Sequence, residues 1–251
     1  MIARPHYIDR LRSLKDLRII KTLSGVRRSG KSTILELFKD HLLSSGVEAE
    51  RIQMINFEDL ANATLLDYQV LHDSITTSLV PEKMNYIFLD EIQQVPHFER
   101  AVDSLYIKKN VDLYITGSNA HLLSGELATL LSGRYVTIPV LPLSFAEYWS
   151  SQAEGDQYSA FEIYLERGGL PYTTEISDDN TYRAYVDGII NSVLVKDVLS
   201  RHTLANSTLI ERLARLVTCS GCIFRIARIN ECRKPTQSPW GKDQRRNTHR
   251  K

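Results

Sequence analysis

Ser24 to Thr33 reads SGVRRSGKST and follows the mixed apolar run LRIIKTL at Leu17–Leu23. Within it, Gly25-Val26-Arg27-Arg28-Ser29-Gly30-Lys31-Ser32 has the G-x-x-x-x-G-K-[ST] spacing of a phosphate-binding loop. Glycines at both ends are expected to let the chain curl with positive φ, so that successive N–H groups point inward as an anion nest. A helix starting near Gly30 adds its N-terminal partial charge and its free N–H groups. Lys31 would then reach the β- and γ-phosphates, and the Ser32 hydroxyl would ligate Mg²⁺. Ser29 and Thr33 complete the cradle, and Arg27 and Arg28 are further candidates to touch phosphate, although variable loop positions often face solvent. The spacing implies a nucleoside triphosphate with magnesium. A chance match is expected in about one chain in a hundred of this length. A short buried strand before the loop and the amphipathic run ILELFKDHLL (Ile34–Leu43) after it strengthen the reading.

A second motif lies about 60 residues on. Tyr86–Gln93 reads YIFLDEIQ, four apolar residues and then two carboxylates. Such a run is typical of a central parallel strand buried on both faces, whose C-terminal end opens onto a ligand crevice. Asp90 would hold the magnesium water shell and Glu91 would orient and deprotonate an attacking water. The plain alternative is a carboxylate pair capping a helix. Val111–Thr116 (VDLYIT) is a third strand candidate, followed by Gly117-Ser118-Asn119. Asn119, or next to it Ser118, could touch the γ-phosphate and the water; a turn or a helix cap is the alternative.

Arg51–Glu58 (RIQMINFE) and Arg134–Val140 (RYVTIPV) supply two more strand candidates, and 65–79, 98–109 and 121–131 read as helices. The alternation predicts an α/β fold, a parallel sheet with right-handed crossovers and helices on both faces. With 43% hydrophobic and 24% charged residues over 251 positions, the composition is that of an ordinary soluble chain. No apolar run reaches the ~18 residues of a membrane span and MIARPHYIDR lacks a signal-peptide pattern, so no membrane and a cytoplasmic location are the default expectations.

The net charge of +1 hides an imbalance: residues 225–251 hold nine Lys/Arg against two Asp/Glu, a local +7, which leaves the first 224 residues at −6. Cys219, Cys222 and Cys232 all lie near this end; C-x-x-C could be half a zinc site, but its second half is missing, and reduced thiols are expected.

With these motifs in order, the chain resembles a AAA+ type ATPase of the P-loop class. More narrowly, it resembles a bacterial and archaeal group of ATP-binding proteins that join an AAA domain to a C-terminal domain of unknown function. The matching stretches are LSGVRRSGKST, INFED, YIFLDEIQ, YITGSNA, LLSGRY, LPLSFAEYW and RGGLPY, between about residues 20 and 175. The resemblance implies ATP as ligand, Lys31 on phosphate, Asp90 supporting magnesium, Glu91 activating water and Asn119 or Ser118 at the sensor position. It also singles out Arg134 in LSGRY, which could neutralise transition-state charge on this chain's γ-phosphate or on that of a neighbouring subunit; a surface ion pair is the alternative.

The expected organisation is a P-loop ATPase domain over 1–150, a helical lid-like region over 151–217, and a basic tail over 218–251. The family continues past the helix Asn206–Leu216 into a winged-helix-like region, whereas KPTQSPWGKDQRRNTHRK is poor in core-forming residues. The expectation is therefore a truncated chain or a tail read out of frame, disordered as it stands. The expected function is Mg-dependent ATP hydrolysis coupled to a conformational switch on an unknown protein partner, with homo-oligomers as one way to assemble it. A small-molecule or nucleotide kinase and a non-hydrolysing ATP-binding module are the competing readings. Nucleic-acid binding by the basic tail has weak support, since only Trp240 is there to stack on bases.

Overall fold

The computed structural model describes residues 2–118, 131, 133–152 and 155–193. Five parallel strands are formed by Ile20–Gly25 (β1), Ile52–Asn56 (β2), Asn85–Asp90 (β3), Val111–Ser118 (β4) and Tyr135–Pro139 (β5). They lie in the order β2-β3-β4-β1-β5. The acidic strand β3 is therefore not beside the loop strand β1; β4 lies between them, pairing Lys21 with Tyr114 on one side and Leu89 with Ile115 on the other. Because all strands are parallel, their carboxyl ends share one edge, and the loop after β1 and the carboxylates after β3 arrive there together.

The period of two along each strand splits the core in two. Ile20, Ile87, Leu89, Leu113 and Ile115 face one side, packed against Leu71 and Ile75 of α3 (Tyr68–Thr77) and Ala101, Val102 and Leu105 of α4 (Phe98–Ile107). Leu23, Tyr86, Phe88, Tyr114 and Ile138 face the other side, against α1 (Pro5–Leu14) and α2 (Lys31–Ser44). There the Phe88 and Tyr114 rings stack at 4.8 Å, and Phe38 of α2 lies 5.2 Å from Tyr114. Each such fully buried side chain contributes on the order of 1.5–3 kcal/mol, so the sheet is held from both faces. This is the parallel α/β sheet with helices on both faces expected from the alternation of elements, and the fold expected of a P-loop NTPase.

Helix α1 was not among the expected elements. Pro5 occupies its first turn, where a missing N–H costs nothing, and Tyr7, Leu11 and Leu14 form its buried stripe. The expected helix over 65–79 is split: a 3₁₀ segment covers Leu60–Leu66, and Asp67 then caps α3 by accepting from the Gln69 and Val70 N–H groups. β1 begins at Ile20, where pairing with β5 begins, and Leu17 of the expected strand lies half exposed before it. After the sheet come α5 (Phe145–Ser150), α6 (Gln157–Arg167), a 3₁₀ turn at Pro171–Glu175, and α7 (Asp179–Val193). Phe145, Tyr148 and Trp149 of α5 pack with Ala160 and Tyr164 of α6 in a third, smaller cluster. The expected helix at 121–131, apart from Leu131, the expected helix Asn206–Leu216, the three cysteines and the basic tail lie outside the described residues. Among those described, no helix is long and apolar enough to cross a membrane.

Candidate functional site

The loop after β1 departs from its expected geometry in one respect. Gly30 has φ 93° and forms the left-handed start of α2, as a curled loop requires. Gly25 does not have positive φ; it is needed for space, because a Cβ there would lie 2.3 Å from the Val140 carbonyl oxygen and 2.9 Å from Ser29 Oγ. The left-handed turn inside the loop falls instead on Arg28, at φ 65°, a conformation that costs a non-glycine residue on the order of 1 kcal/mol.

Lys31 is buried, and its Nζ donates to the carbonyls of Gly25 at 3.3 Å and Val26 at 3.4 Å. The same Nζ stands 3.5 Å from Glu91 Oε1. The sheet order thus brings together residues 60 positions apart on the chain, as the acidic motif and the loop motif anticipated.

Asp90 ends β3 and is fully enclosed. Burial pushes its carboxyl pKa up, while the hydroxyls of Thr116 and Ser32 and the Lys31 charge pull it down without winning. One oxygen, Oδ1, accepts from Thr116 Oγ1 at 2.5 Å; the other, Oδ2, is buried with no hydrogen-bond partner. A carboxylate oxygen in this position beside the Ser32 hydroxyl could serve as a ligand to a hard cation whose other ligands are water and phosphate.

Glu91 has the left-handed backbone, φ 54° and ψ 46°, at the turn leaving β3. Its N–H donates to Thr116 Oγ1 at 2.9 Å, and its Oε2 accepts from the Gln93 side-chain amide. Neither Thr116 nor Gln93 was singled out in the sequence. The signal for Thr116 was there: it is the one hydroxyl-bearing aliphatic side chain in VDLYIT, near the end of the strand beside the acidic one.

The other candidates fall at several places around the loop. Arg27 pairs with Glu58 at 2.6 Å, a carboxylate just beyond β2. Arg28 lies close enough to Tyr185 of α7 for its charge to act on that phenol. Ser29 is buried, with its Oγ unpartnered. Thr33 sits in the first turn of α2. Ser118 ends β4 in register with Gly25, and Asn119 lies outside the described residues.

Arg134 is not at this edge. It precedes β5, whose Tyr135 pairs with Ile20 at the start of β1, so the length of a strand, about 16 Å, separates it from the loop. Its guanidinium pairs with Asp103 and lies 5.4 Å over the Tyr106 ring, both on α4. The reading in which it touches this chain's own γ-phosphate is corrected by that placement: the side chain is too short to span the sheet.

Three comparisons relate the chain to known proteins. A family model described as an AAA domain matches residues 18–149, just over half of the chain. Among curated proteins, the chain is 40% identical over 215 residues to an uncharacterized protein of Haemophilus influenzae, covering 80% of this chain and 51% of that one. It is 28% identical over 203 residues to the uncharacterized protein MJ1544 of Methanocaldococcus jannaschii, covering 74% and 43% respectively. The chain therefore spans about half the length of the curated relatives it matches. Among solved structures it is similar to a Walker-type ATPase of Pyrococcus abyssi, 14% identical over 88% of this chain and 77% of that one, with TM-score 0.48. It is also similar to the Orc1 protein of Aeropyrum pernix in complex with DNA, 14% identical over 81% and 69%, with TM-score 0.46.

Proposed function

Because the chain belongs to the AAA domain family, which its residues 18–149 match, we propose that it binds ATP with Mg²⁺ at the 25–33 loop and hydrolyses the terminal phosphate to switch a partner protein. The observation that carries the reading is the convergence at one sheet edge of Lys31, Glu91 at 3.5 Å from it, and the unpartnered Oδ2 of buried Asp90.

On this reading each group has a role. Backbone N–H groups around Gly30 and the start of α2 hold the phosphate oxygens, and Lys31 leaves its two loop carbonyls for the β- and γ-oxygens. Asp90 and Ser32 hold the magnesium ion, which when bound spreads the charge that builds on the phosphate oxygens. Glu91 orients a water and takes its proton as the oxygen attacks phosphorus; the bond to the bridging oxygen breaks, and ADP and phosphate leave. Thr116 fixes the Asp90 carboxylate and the backbone of Glu91 by holding Asp90 Oδ1 and the Glu91 N–H. Asn119 and Ser118 are proposed to sense the γ-phosphate, and Arg134, at the far edge, to serve a neighbouring copy.

The test is a pair of variants with separate measurements of binding and turnover. Lys31→Ala should abolish Mg·ATP binding in a calorimetric titration. Glu91→Gln should bind Mg·ATP as the parent does and release phosphate at least a hundredfold more slowly. Release that requires an added acceptor hydroxyl would make the protein a kinase, and binding with no turnover in the parent would make it a non-hydrolysing module.

A further inference from the structure

Arg4 is not part of any motif around the loop, yet it makes the densest set of polar contacts near it. Its side chain is 3% exposed although it carries a permanent charge. Nε and one terminal nitrogen form a fork onto Glu147, at 2.9 Å to Oε1 and 3.2 Å to Oε2. That terminal nitrogen also donates to the carbonyls of Leu141 at 3.0 Å and Pro142 at 3.4 Å. The remaining one donates to the carbonyl of Ser29, inside the phosphate loop, at 3.0 Å. The guanidinium lies 4.5 Å over the Tyr7 ring, which fixes its plane.

The Ser29 contact matters for the loop. No peptide bond among the described residues is cis, so the Ser29–Gly30 unit is trans and planar, and its C=O and N–H point in opposite directions. A donor holding the Ser29 oxygen therefore aims the Gly30 N–H the other way, away from Arg4. The Glu147 contact matters for the helices after the sheet. Glu147 closes the capping box of α5 with Ser144, and α5 packs on α6 through Phe145, Tyr148 and Tyr164. The path then returns to the loop. Leu143 donates to the Gly169 carbonyl at 2.6 Å, and Pro171 Cγ lies 3.6 Å from where a Cβ on Gly30 would sit.

We infer that Arg4 is a positioning residue: it orients the Ser29–Gly30 peptide for the phosphate, and through Glu147 it passes any movement of that peptide to α5 and the helices packed on it. The inference rests on the nucleotide reading of the loop. It gives the proposed switch a physical route, from one carbonyl through one guanidinium and one carboxylate to a helix cap. Charge alone does not make this tie, because an ammonium group could hold Glu147 or Ser29 but not all five acceptor oxygens at once.

Trp149 supplies the readout. It lies on α5 two residues past Glu147, and the other tryptophan, Trp240, can be replaced by Phe. In that background, saturation with Mg²⁺ and a non-hydrolysable ATP analogue should change Trp149 emission, with affinity measured independently by calorimetry. Adding Glu147→Gln should leave affinity within about threefold while the emission change falls to less than half, because a neutral amide cannot receive the charged fork. Arg4→Lys should lose the emission change and also weaken binding roughly tenfold, since the peptide is no longer aimed. Thermal melts confirm that each variant is folded before either number is read. A full emission change in both variants at parental affinity overturns the tie, as does a parent that binds the analogue with no change at Trp149. A folded parent that binds no analogue overturns the nucleotide reading, and this inference with it.

Discussion

The hydroxyl of Thr116 donates to Asp90 Oδ1 at 2.5 Å and accepts from the Glu91 N–H at 2.9 Å, so one side chain holds the carboxylate of one acidic residue of the proposed site and the backbone of the other. Thr116→Val keeps the shape and removes the hydroxyl, leaving a buried carboxylate oxygen and a buried N–H without partners. The expected loss is about 1–3 kcal/mol of stability. Because the two residues it holds would act on water and metal, phosphate release should slow by about ten- to a hundredfold, with nucleotide affinity little changed. Thr116→Ser should restore most of both, and turnover at the parental rate in Thr116→Val would remove the residue from the site. Gly25 makes a different point at the same scale. Its identity was legible in the G-x-x-x-x-G-K-S spacing, but the reason for it was not, since the Val140 oxygen that would lie 2.3 Å from a Cβ there belongs to the residue just after β5, more than a hundred positions away. Gly25→Ala should therefore destabilise the protein by about 1–3 kcal/mol, seen in denaturant unfolding, even with no nucleotide present.

At the scale of single elements, legibility tracked local chemistry. Helix α2 and strand β3 could be read because each announces itself within ten residues, one by a loop that must end in a helix and the other by four apolar residues before two carboxylates. Helix α1 was missed because PHYIDRLRSL carries only a narrow apolar stripe and has no side-chain N-cap; its stability comes from the face of the sheet it covers. Helix α5, only six residues long, carries its start in the sequence as Ser144-x-x-Glu147, a capping box. What could not be read is that Glu147 is shared with Arg4, 143 positions earlier. Burial pushes the Glu147 carboxyl up, but the Arg4 fork and the Ser144 N–H and hydroxyl together hold it below its ordinary value. A carboxylate pKa lowered by folding adds stability that is present above the ordinary Glu range and is lost as pH falls through the lowered value. Glu147→Gln should cost about 1–2 kcal/mol at neutral pH, and the difference from the parent should close as the protein is acidified. A difference independent of pH would mean that the carboxylate charge is not what holds α5.

Across the whole molecule, the alternation of strands and helices was legible because parallel sheets demand crossovers, whereas the order of the strands in space was not. Nothing in VDLYIT says that β4 inserts between β1 and β3, although that insertion is what puts Thr116 beside Asp90. The same insertion explains Lys21, a cation near the start of the fully buried strand β1. Lys21 and Asp112 of the adjacent β4 are both enclosed and paired, with Tyr114 donating to Asp112 at 2.8 Å and the Asp16 N–H at 2.9 Å. Burial acts first on both partners, pushing the Asp112 carboxyl up and the Lys21 ammonium down, while their mutual attraction opposes each shift. Removing one partner leaves the other charge buried, so Lys21→Met should lose about 3–5 kcal/mol, whereas the double variant Lys21→Met with Asp112→Leu should recover much of it. Acid should also narrow the deficit of the single variant. Without the cation the Asp112 carboxyl rises further; a raised carboxylate pKa means stability that is full below the ordinary Asp range and is lost as pH climbs through the folded value. Denaturant unfolding of the parent and the Lys21→Met variant from neutral to mildly acidic pH checks this, and a deficit that stays constant across that range would show that the cost comes from lost packing of the lysine stem rather than from an orphaned charge.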